Sequence, residues 1–392
     1  MKISPWPYFD EKQIEKVADV LKTGKVNSWF GDETNKFEKE FANWSNNKYA
    51  IALANGSLAL SSAYLSLNIR EGDQVITTPR TFIATASSIS LLKAMPIFAD
   101  VDIDSGNITA ETIEPLINKR TKAISVVHLG GWPAEMEKIC QLAKKYKLSL
   151  IEDCAQSHGA KIKIGSDFQS VGSFGDIAAW SFCQDKIIST GGEGGMVTTN
   201  NKSLFKKVWS IKDHGKSYDL VFKKTNSKSF RWLHENFGSN FRLTEMQSAI
   251  GRIQLKLIHN WQKIRTRNAL ILIESLKELS NLRIPIPPNN IIHAWYKFHC
   301  YVNLDSLLED WSRDRIIDEI NAHSYPAFSG SCSEIYLEKC FSKYQKSKKL
   351  SLKNASHLGR SSLTFLIHPT ITKTEMENYA MVIKKVLKKA QK

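Results

Sequence analysis

Three short stretches of the chain carry residue types that could act together on one ligand. The first is Asn55-Gly56-Ser57, which opens a helical segment. Gly56 lets the backbone approach a ligand, and Ser57 with the helix N-terminal amides can hold a phosphate. The same residues also make an ordinary helix cap. The second stretch is Glu152-Asp153-Cys154-Ala155-Gln156-Ser157-His158-Gly159. A carboxylate at the end of a buried strand calls for a cationic partner. A protonated pyridine nitrogen is such a partner, and Asp153 would keep it protonated so that the ring can draw electrons from a substrate carbon. A helix cap or a structural salt bridge is the competing use. The third stretch is Ser181-Phe182-Cys183-Gln184-Asp185-Lys186, followed by Gly191-Gly192-Glu193-Gly194-Gly195. A lysine on a loop between two buried strands is placed to form an imine with a carbonyl. Ser181 would add a second hydroxyl to a phosphate site. A solvated loop lysine is the plain alternative.

These residues need a scaffold, and the apolar pattern supplies one. Ile14, Val17, Val20 and Leu21 are helically spaced and end at Gly24, a left-handed cap. Phe37, Phe41 and Trp44 repeat the pattern. From about residue 49 short apolar runs alternate with helical segments. Runs ending at Ala54, Thr78, Asp100, His128 and Asp153 read as strands, and Leu58–Leu67, Thr85–Leu92 and Glu135–Tyr146 read as helices. Strands follow at Ile177–Phe182 and Gly195–Thr199. The alternation predicts an α/β domain around a mostly parallel sheet. Ligand groups in such sheets gather at the carboxyl ends of strands, where all three stretches fall. Thr244–Ile258 reads as an amphipathic helix and Arg265–Leu279 as another. Pro285, Pro287 and Pro288, a strand-like Trp295–Val302, and helices near Trp311–Ala322 and Glu375–Lys389 follow. The reading is a large α/β domain over residues 1–264 and a smaller C-terminal α+β domain over residues 265–392, with no repeats and no low-complexity linker.

Composition bounds the function class. The chain has 392 residues, 42% of them hydrophobic, enough to bury sizeable cores. The net charge of +15 raises the question of an anionic partner. The lysines are spread along the whole chain, and the dense stretches Lys343–Lys353 and from Lys384 read as solvated helix faces. No helix-turn-helix or aromatic-interleaved basic motif supports a DNA-binding protein, so no nucleic-acid partner is expected. The six cysteines show no C-x-x-C pair and no zinc spacing, so reduced thiols and no metal site are expected. The start lacks a signal-like apolar region and no run is long enough to span a bilayer. A cytoplasmic protein without membrane insertion is expected.

Taken together, the motifs resemble the DegT/DnrJ/StrS family of nucleotide-sugar aminotransferases, from about Trp6 to near the C-terminus. The stretches that carry the resemblance are Asn55–Leu60, Pro79–Thr85, Glu152–Gly159, Ser181-Phe182 with Lys186 and Gly192–Gly195, and Asn240–Glu245. The resemblance implies the fold-type-I architecture of enzymes that use pyridoxal 5'-phosphate (PLP). It implies that Gly56, Ser57 and Ser181 hold the PLP phosphate and that Phe82 stacks on the ring. Asp153 would pair with the ring nitrogen, Gln156 would lie near the phenolic oxygen, and Lys186 would bind the cofactor as a Schiff base. Lys186 and Asp153 are thereby the expected catalytic residues. Asn240 would reach the phosphate held by a neighbouring subunit, which implies a homodimer with shared active sites. The implied reaction moves an amino group from glutamate to a keto group of a nucleotide-linked sugar, for surface polysaccharide or glycoconjugate biosynthesis. The alternative is a regulatory protein on the PLP fold or a non-sugar aminotransferase. Dehydratases of the family carry His in place of the lysine, and Lys186 argues against that branch.

Two stretches depart from the usual pattern. Cys183-Gln184-Asp185 stands where His-Pro-Thr or similar residues are common. His128-Leu129-Gly130-Gly131-Trp132-Pro133 replaces an aromatic-Gly-Gln pattern. Both are expected to border the pocket where substrate is selected.

Overall fold

The computed structural model describes residues 2–224, 229–344 and 352–392. Two helices come first. In α1 (Glu11–Thr23) the Asp10 side chain accepts from Gln13 N–H, and Gly24 ends the helix at φ 69°. Val20 is buried as expected, but Ile14 and Leu21 are 53% and 56% exposed, so this apolar stripe is only partly covered within one chain. In α2 (Glu33–Trp44) Phe37 and Phe41 are fully buried and pack on Phe182.

The alternation that follows produces β1 (Tyr49–Leu53), α3 (Gly56–Ser66), β2 (Gln74–Thr77), α4 (Ala84–Leu91), β3 (Met95–Phe98), the short α5 (Ala110–Ile113), β4 (Thr121–Val127), α6 (Met136–Tyr146) and β5 (Ser149–Asp153). A hairpin, β6 (Lys161–Ile164) and β7 (Asp167–Ser170), precedes β8 (Ile177–Ser181) and β9 (Gly195–Thr199). The main sheet has the order β1-β9-β8-β5-β4-β2-β3. Every pairing in it is parallel except the two made by β9. Six strands therefore end on one edge, and β9 begins there. The observed strand ends fall within two residues of those expected. Almost every residue of β1, β2, β4, β5, β8 and β9 is buried, as a sheet covered on both faces requires.

After α7 (Lys202–Lys212) and α8 (Tyr218–Phe222), one helix departs from expectation. The segments read as Thr244–Ile258 and Arg265–Leu279 are a single helix, α9 (Glu245–Leu276). Thr244 and Gln247 form a capping box at its start. Residues 259–264 hold neither Gly nor Pro, so nothing stops the helix between the two amphipathic stretches. The one glycine inside α9, Gly251, sits where a Cβ would come within 2.6 Å of the Phe37 ring.

The second half forms a four-stranded antiparallel sheet from β10 (Leu282–Arg283), β12 (Phe298–Val302), β14 (Ser362–Phe365) and β13 (Ala327–Phe328), in that order, while β11 (Ile291–Ile292) pairs with β6. With α10 (Arg313–Ala322) and α12 (Lys373–Ala390) it encloses a separate buried cluster, including Leu272, Leu276, Phe298, Ile316, Phe365 and Ile383. Ile3 joins this cluster from the other end of the chain. Between β13 and β14 lies α11 (Lys353–Ser361). Residues 345–351, the middle of the basic stretch Lys343–Lys353, lie outside the described residues. The six cysteines are all free. No helix among the described residues is long and apolar enough to cross a membrane.

Candidate active site

At the carboxyl edge of the main sheet a cavity of about 910 Å³ opens against the second half of the chain. Its lining includes Gly56, Ser57, Phe82, Asp153, Gln156, Ser181 and Lys186. Four separate stretches of sequence thus meet in one site. Asn240 does not join them. It is exposed, and its segment forms an isolated bridge to Asp213.

Each residue is placed by the backbone that precedes it. Asn55 caps α3, its Oδ1 accepting from Leu58 N–H at 2.9 Å. A Cβ on Gly56 would lie 2.7 Å from Ser181 Cβ and 3.0 Å from Ser181 Oγ. Glycine therefore lets the first turn of α3 lie against the end of β8. The first-turn amides of a helix have no partner within it. Here they sit beside the Ser57 and Ser181 hydroxyls, a donor set that suits a phosphate.

Asp153 is buried at the end of β5. Its oxygens accept from Thr85 Oγ1 at 2.8 Å and from Ala155 N–H at 3.2 Å. No basic side chain among the described residues forms an ion pair with it. Burial pushes its carboxyl above the usual range, opposed by these hydrogen bonds and by the charge of Lys186. A buried carboxylate facing a cavity without a counter-ion suits a ligand that brings a cation. Gly130 N–H donates to Gln156 Oε1 at 2.8 Å, which leaves the Gln156 amide nitrogen for the cavity. Phe82 is 67% exposed and stands on the wall.

Lys186 follows a turn in which its own N–H donates to Cys183 O at 3.0 Å. Trp6 Nε1 donates to Lys186 O at 2.9 Å, so the N-terminal segment also holds the lysine backbone. The Nζ lies 3.3 Å from Tyr296 Oη and 3.7 Å from Asp185 Oδ1.

Of the two atypical loops expected to border the pocket, Cys183 and Asp185 line the cavity, whereas residues 128–133 do not and act from behind it. His128 and Glu152 are fully buried and 3.1 Å apart. Glu152 also accepts from the N–H groups of Gly172, Phe174 and Gly175, and His128 Nδ1 accepts from Ala134 N–H. With Cys154 they lie close enough to share a metal ion, but these hydrogen bonds already engage both Glu152 oxygens and both His128 nitrogens. The group fixes the loop. Gly130 and Gly131, at φ 63° and 96°, then accept from Tyr296 N–H and Ala294 N–H at 3.0 and 2.9 Å.

Sequence reasoning missed the opposite wall: Tyr296, Lys297, His299, Thr364, and the stretch from Gly330 through Ile335 to Glu338. His299 Nδ1 lies 2.7 Å from Thr364 Oγ1, and burial, aided by the charge of Arg80, holds its pKa well below the usual value. A lysine and a histidine inside an apolar strand were the available signal for part of this wall. The 330–338 loop has no period to read.

The sequence matches the DegT/DnrJ/EryC1/StrS aminotransferase family over residues 7–386. An aminotransferase from Psychrobacter cryohalolentis is 48% identical, with 99% of each chain covered and a TM-score of 0.96. A UDP-N-acetyl-3-dehydro-alpha-D-glucosamine 3-aminotransferase from Acidithiobacillus ferrooxidans is 33% identical over 91% of this chain and 89% of that one. NtdA of Bacillus subtilis, solved with bound cofactor PMP, is 25% identical over 99% of this chain and 86% of its own, with a TM-score of 0.83. The fold is that of PLP-dependent aminotransferases, and the phosphate cradle, the unpaired buried carboxylate and the lysine at the cavity fit such a cofactor. The chain belongs to the DegT/DnrJ/EryC1/StrS aminotransferase family, whose enzymes depend on PLP.

Proposed function

We propose that this aminotransferase moves an amino group from glutamate to a keto group of a nucleotide-linked sugar, in the synthesis of surface polysaccharide or glycoconjugate. One observation carries the reading. A single cavity presents a lysine amine, a buried carboxylate without a counter-ion, and a glycine-permitted cradle of amides and hydroxyls. The relative from Acidithiobacillus ferrooxidans, named for a UDP-linked dehydro sugar, supports the substrate class. The surplus of 15 positive charges favours an anionic nucleotide diphosphate.

PLP supplies, when bound, the electron sink that no side chain provides. Lys186 Nζ would hold it covalently, and Asp153 would face its ring nitrogen. Gly56, Ser57 and Ser181 would hold its phosphate, Phe82 would cover the ring, and Gln156 would donate to the phenolic oxygen. Lys186, when free, takes the proton from the donor's Cα. It later returns one to the sugar carbon that receives the nitrogen.

The working form is a cytoplasmic homodimer. Phe230, Trp232 and Phe237 are exposed in the segment leading to Asn240, and Ile14 and Leu21 are uncovered as well. An apolar surface of this kind favours a protein partner. Asn240 would complete the phosphate site of the second subunit.

The test is capture followed by product analysis. Borohydride reduction of PLP-loaded protein fixes the cofactor to Lys186, read by peptide mapping. Mass spectrometry then finds an aminated product from a panel of nucleotide-linked ketosugars with glutamate. Label on another lysine overturns the site assignment. Efficient exchange between simple amino acids, with every nucleotide sugar inert, overturns the substrate class.

A further inference from the structure

The two atypical loops converge on one cluster beside Lys186. The Tyr296 hydroxyl donates to Asp185 Oδ2, and Lys297 Nζ donates to the same oxygen at 3.2 Å. Lys186 Nζ donates to Tyr296 Oη at 3.3 Å and lies 3.7 Å from Asp185 Oδ1. Both amines also stand over the Tyr296 ring, at 4.9 and 4.8 Å from its centre. All four side chains line the cavity. Asp185 comes from the loop that replaces the usual residues before the lysine. Tyr296 is pinned by Gly130 of the other atypical loop and by Arg265, whose Nη1 donates to the carbonyls of Trp295 and Tyr296 at 3.2 and 3.1 Å.

We propose that Asp185, acting with Tyr296, is the holding site for the side-chain nitrogen of Lys186: it fixes where the amine rests when free and stabilises positive charge on it when bonded. Asp185 and Tyr296 are positioning residues in this role. The inference rests on Lys186 being the cofactor-binding residue.

The geometry supports this in three ways. The nitrogen must be held beside the cavity, not swing into solvent, because it has to meet the substrate carbon again. Tyr296 donates its own proton to Asp185, so its oxygen is left to accept from Lys186. Asp185 stays ionised. Burial works to raise its pKa, but Lys186, the Tyr296 hydrogen bond and Lys297 bring it below the usual value. The other ionisable groups around the cluster are Asp153 and His158 on the strand-end side, Arg265 behind Tyr296, and Cys183 and Glu193 on the lysine loops. His158 is pushed down to about 3, chiefly by burial, and is neutral at working pH.

A carboxylate this close favours the protonated state of a nitrogen, and a neighbouring ammonium opposes it. The holoenzyme without substrate should therefore change its visible spectrum with pH at a midpoint set by this cluster. Asp185→Asn lowers the midpoint by about one pH unit. Asp185→Glu restores most of it, and Lys297→Met moves it upward. A structural role would not give shifts of opposite sign. In cofactor-free protein, Asp185→Asn should also speed acetic anhydride labelling of Lys186 several-fold, read by peptide mass spectrometry. An unchanged midpoint with unchanged labelling overturns the inference, while borohydride capture on Lys186 still stands for the cofactor reading. Capture on a different lysine overturns that reading separately, and the labelling rate still decides whether Asp185 holds the amine.

Discussion

The two walls of the cavity are built on different principles. The first wall is the carboxyl edge of the main sheet, with Gly56, Asp153, Ser181 and Lys186 each within five residues of a strand end. The second wall comes from within residues 296–338 and from Thr364, set on a short antiparallel sheet and an irregular loop. The first is fixed by buried backbone. Its backbone segments lie so close that a Cβ on Gly56 would come within 2.7 Å of Ser181 Cβ. The second is held by individual hydrogen-bond latches. Arg80 is fully buried and donates from Nη1 to Ser333 Oγ at 2.6 Å, and Ile335 N–H donates to Pro79 O at 3.1 Å. The difference suits the proposed function, in which the strand-end wall would hold the cofactor and the latched loop would face the sugar substrate.

Asp153→Asn is the strongest way to break this comparison. Loss of the carboxylate should slow the half-reaction with glutamate by about two orders of magnitude or more, read by single-turnover spectroscopy. The same change should not weaken the fold. Burial raises the Asp153 pKa, so its ionised form opposes folding, and this cost grows as pH rises through the unfolded-state value towards the folded one. Asparagine removes it. The cofactor-free variant should melt at or above the wild-type temperature near neutral pH. Near-native turnover, or a markedly lower melting temperature, would place Asp153 among structural residues.

The sequence made the first wall readable for the same reason that it is rigid. A carboxylate closing a run of buried apolar residues and a lysine between two such runs are out of place physically; that misfit made Asp153 and Lys186 candidates, and the joint motifs with their family resemblance gave them roles. The second wall lacked such contrast. Tyr296 looks like core, and it is 6% exposed, yet its hydroxyl reaches Lys186. Trp295 has φ 50°, a left-handed conformation that does not fit a strand, and β12 begins only at Phe298, so Tyr296 lies before the strand and not within it. Thr364 and Cys332 belong to stretches whose neighbours in space are distant in sequence. The fusion of two expected helices into α9 has the opposite origin. Amphipathic periodicity was visible at each end, but the mixed stretch of residues 259–264 between them hid the continuity. Ile14 and Leu21 fit the helical spacing and remain exposed, because spacing alone does not name the surface that covers them.

A second experiment asks whether the first wall is complete within one chain. Asn240 is absent from the cavity of its own chain. When Lys186→Ala and Asn240→Asp variants are co-expressed, the mixed dimer contains one site with both native residues and one with both defects. Each homodimer should be nearly inactive. Verified mixed dimers should recover up to about half of one wild-type dimer's activity, by the symmetry of a two-site assembly. No recovery, or an active monomer, would show that the rigid edge needs nothing from a neighbour.

The smallest expected effect tests the second wall alone. Among the described residues, Arg80 Nε and Nη2 have no hydrogen-bond partner, and Ser333 supplies the one side-chain acceptor for this fully buried guanidinium. Such a group is costly to leave unpaired. Ser333→Ala should lower stability by about 1–3 kcal/mol, measured by denaturant unfolding, since it strands the charge and leaves its burial unchanged. It should also loosen the loop carrying Gly330, Ser331 and Cys332, which line the cavity. The consequence should fall on the sugar substrate: KM rises several-fold, while PLP affinity and the half-reaction with glutamate stay at wild-type values. That split follows from the latch hydrogen bond running to Ser333 and not to Asp153, Ser181 or Lys186. A parallel loss in both half-reactions would mean that the two walls move as one body. Unchanged KM with lowered stability would mean that the loop is held by the Ile335 to Pro79 hydrogen bond instead, and that Arg80 serves the fold without shaping substrate choice.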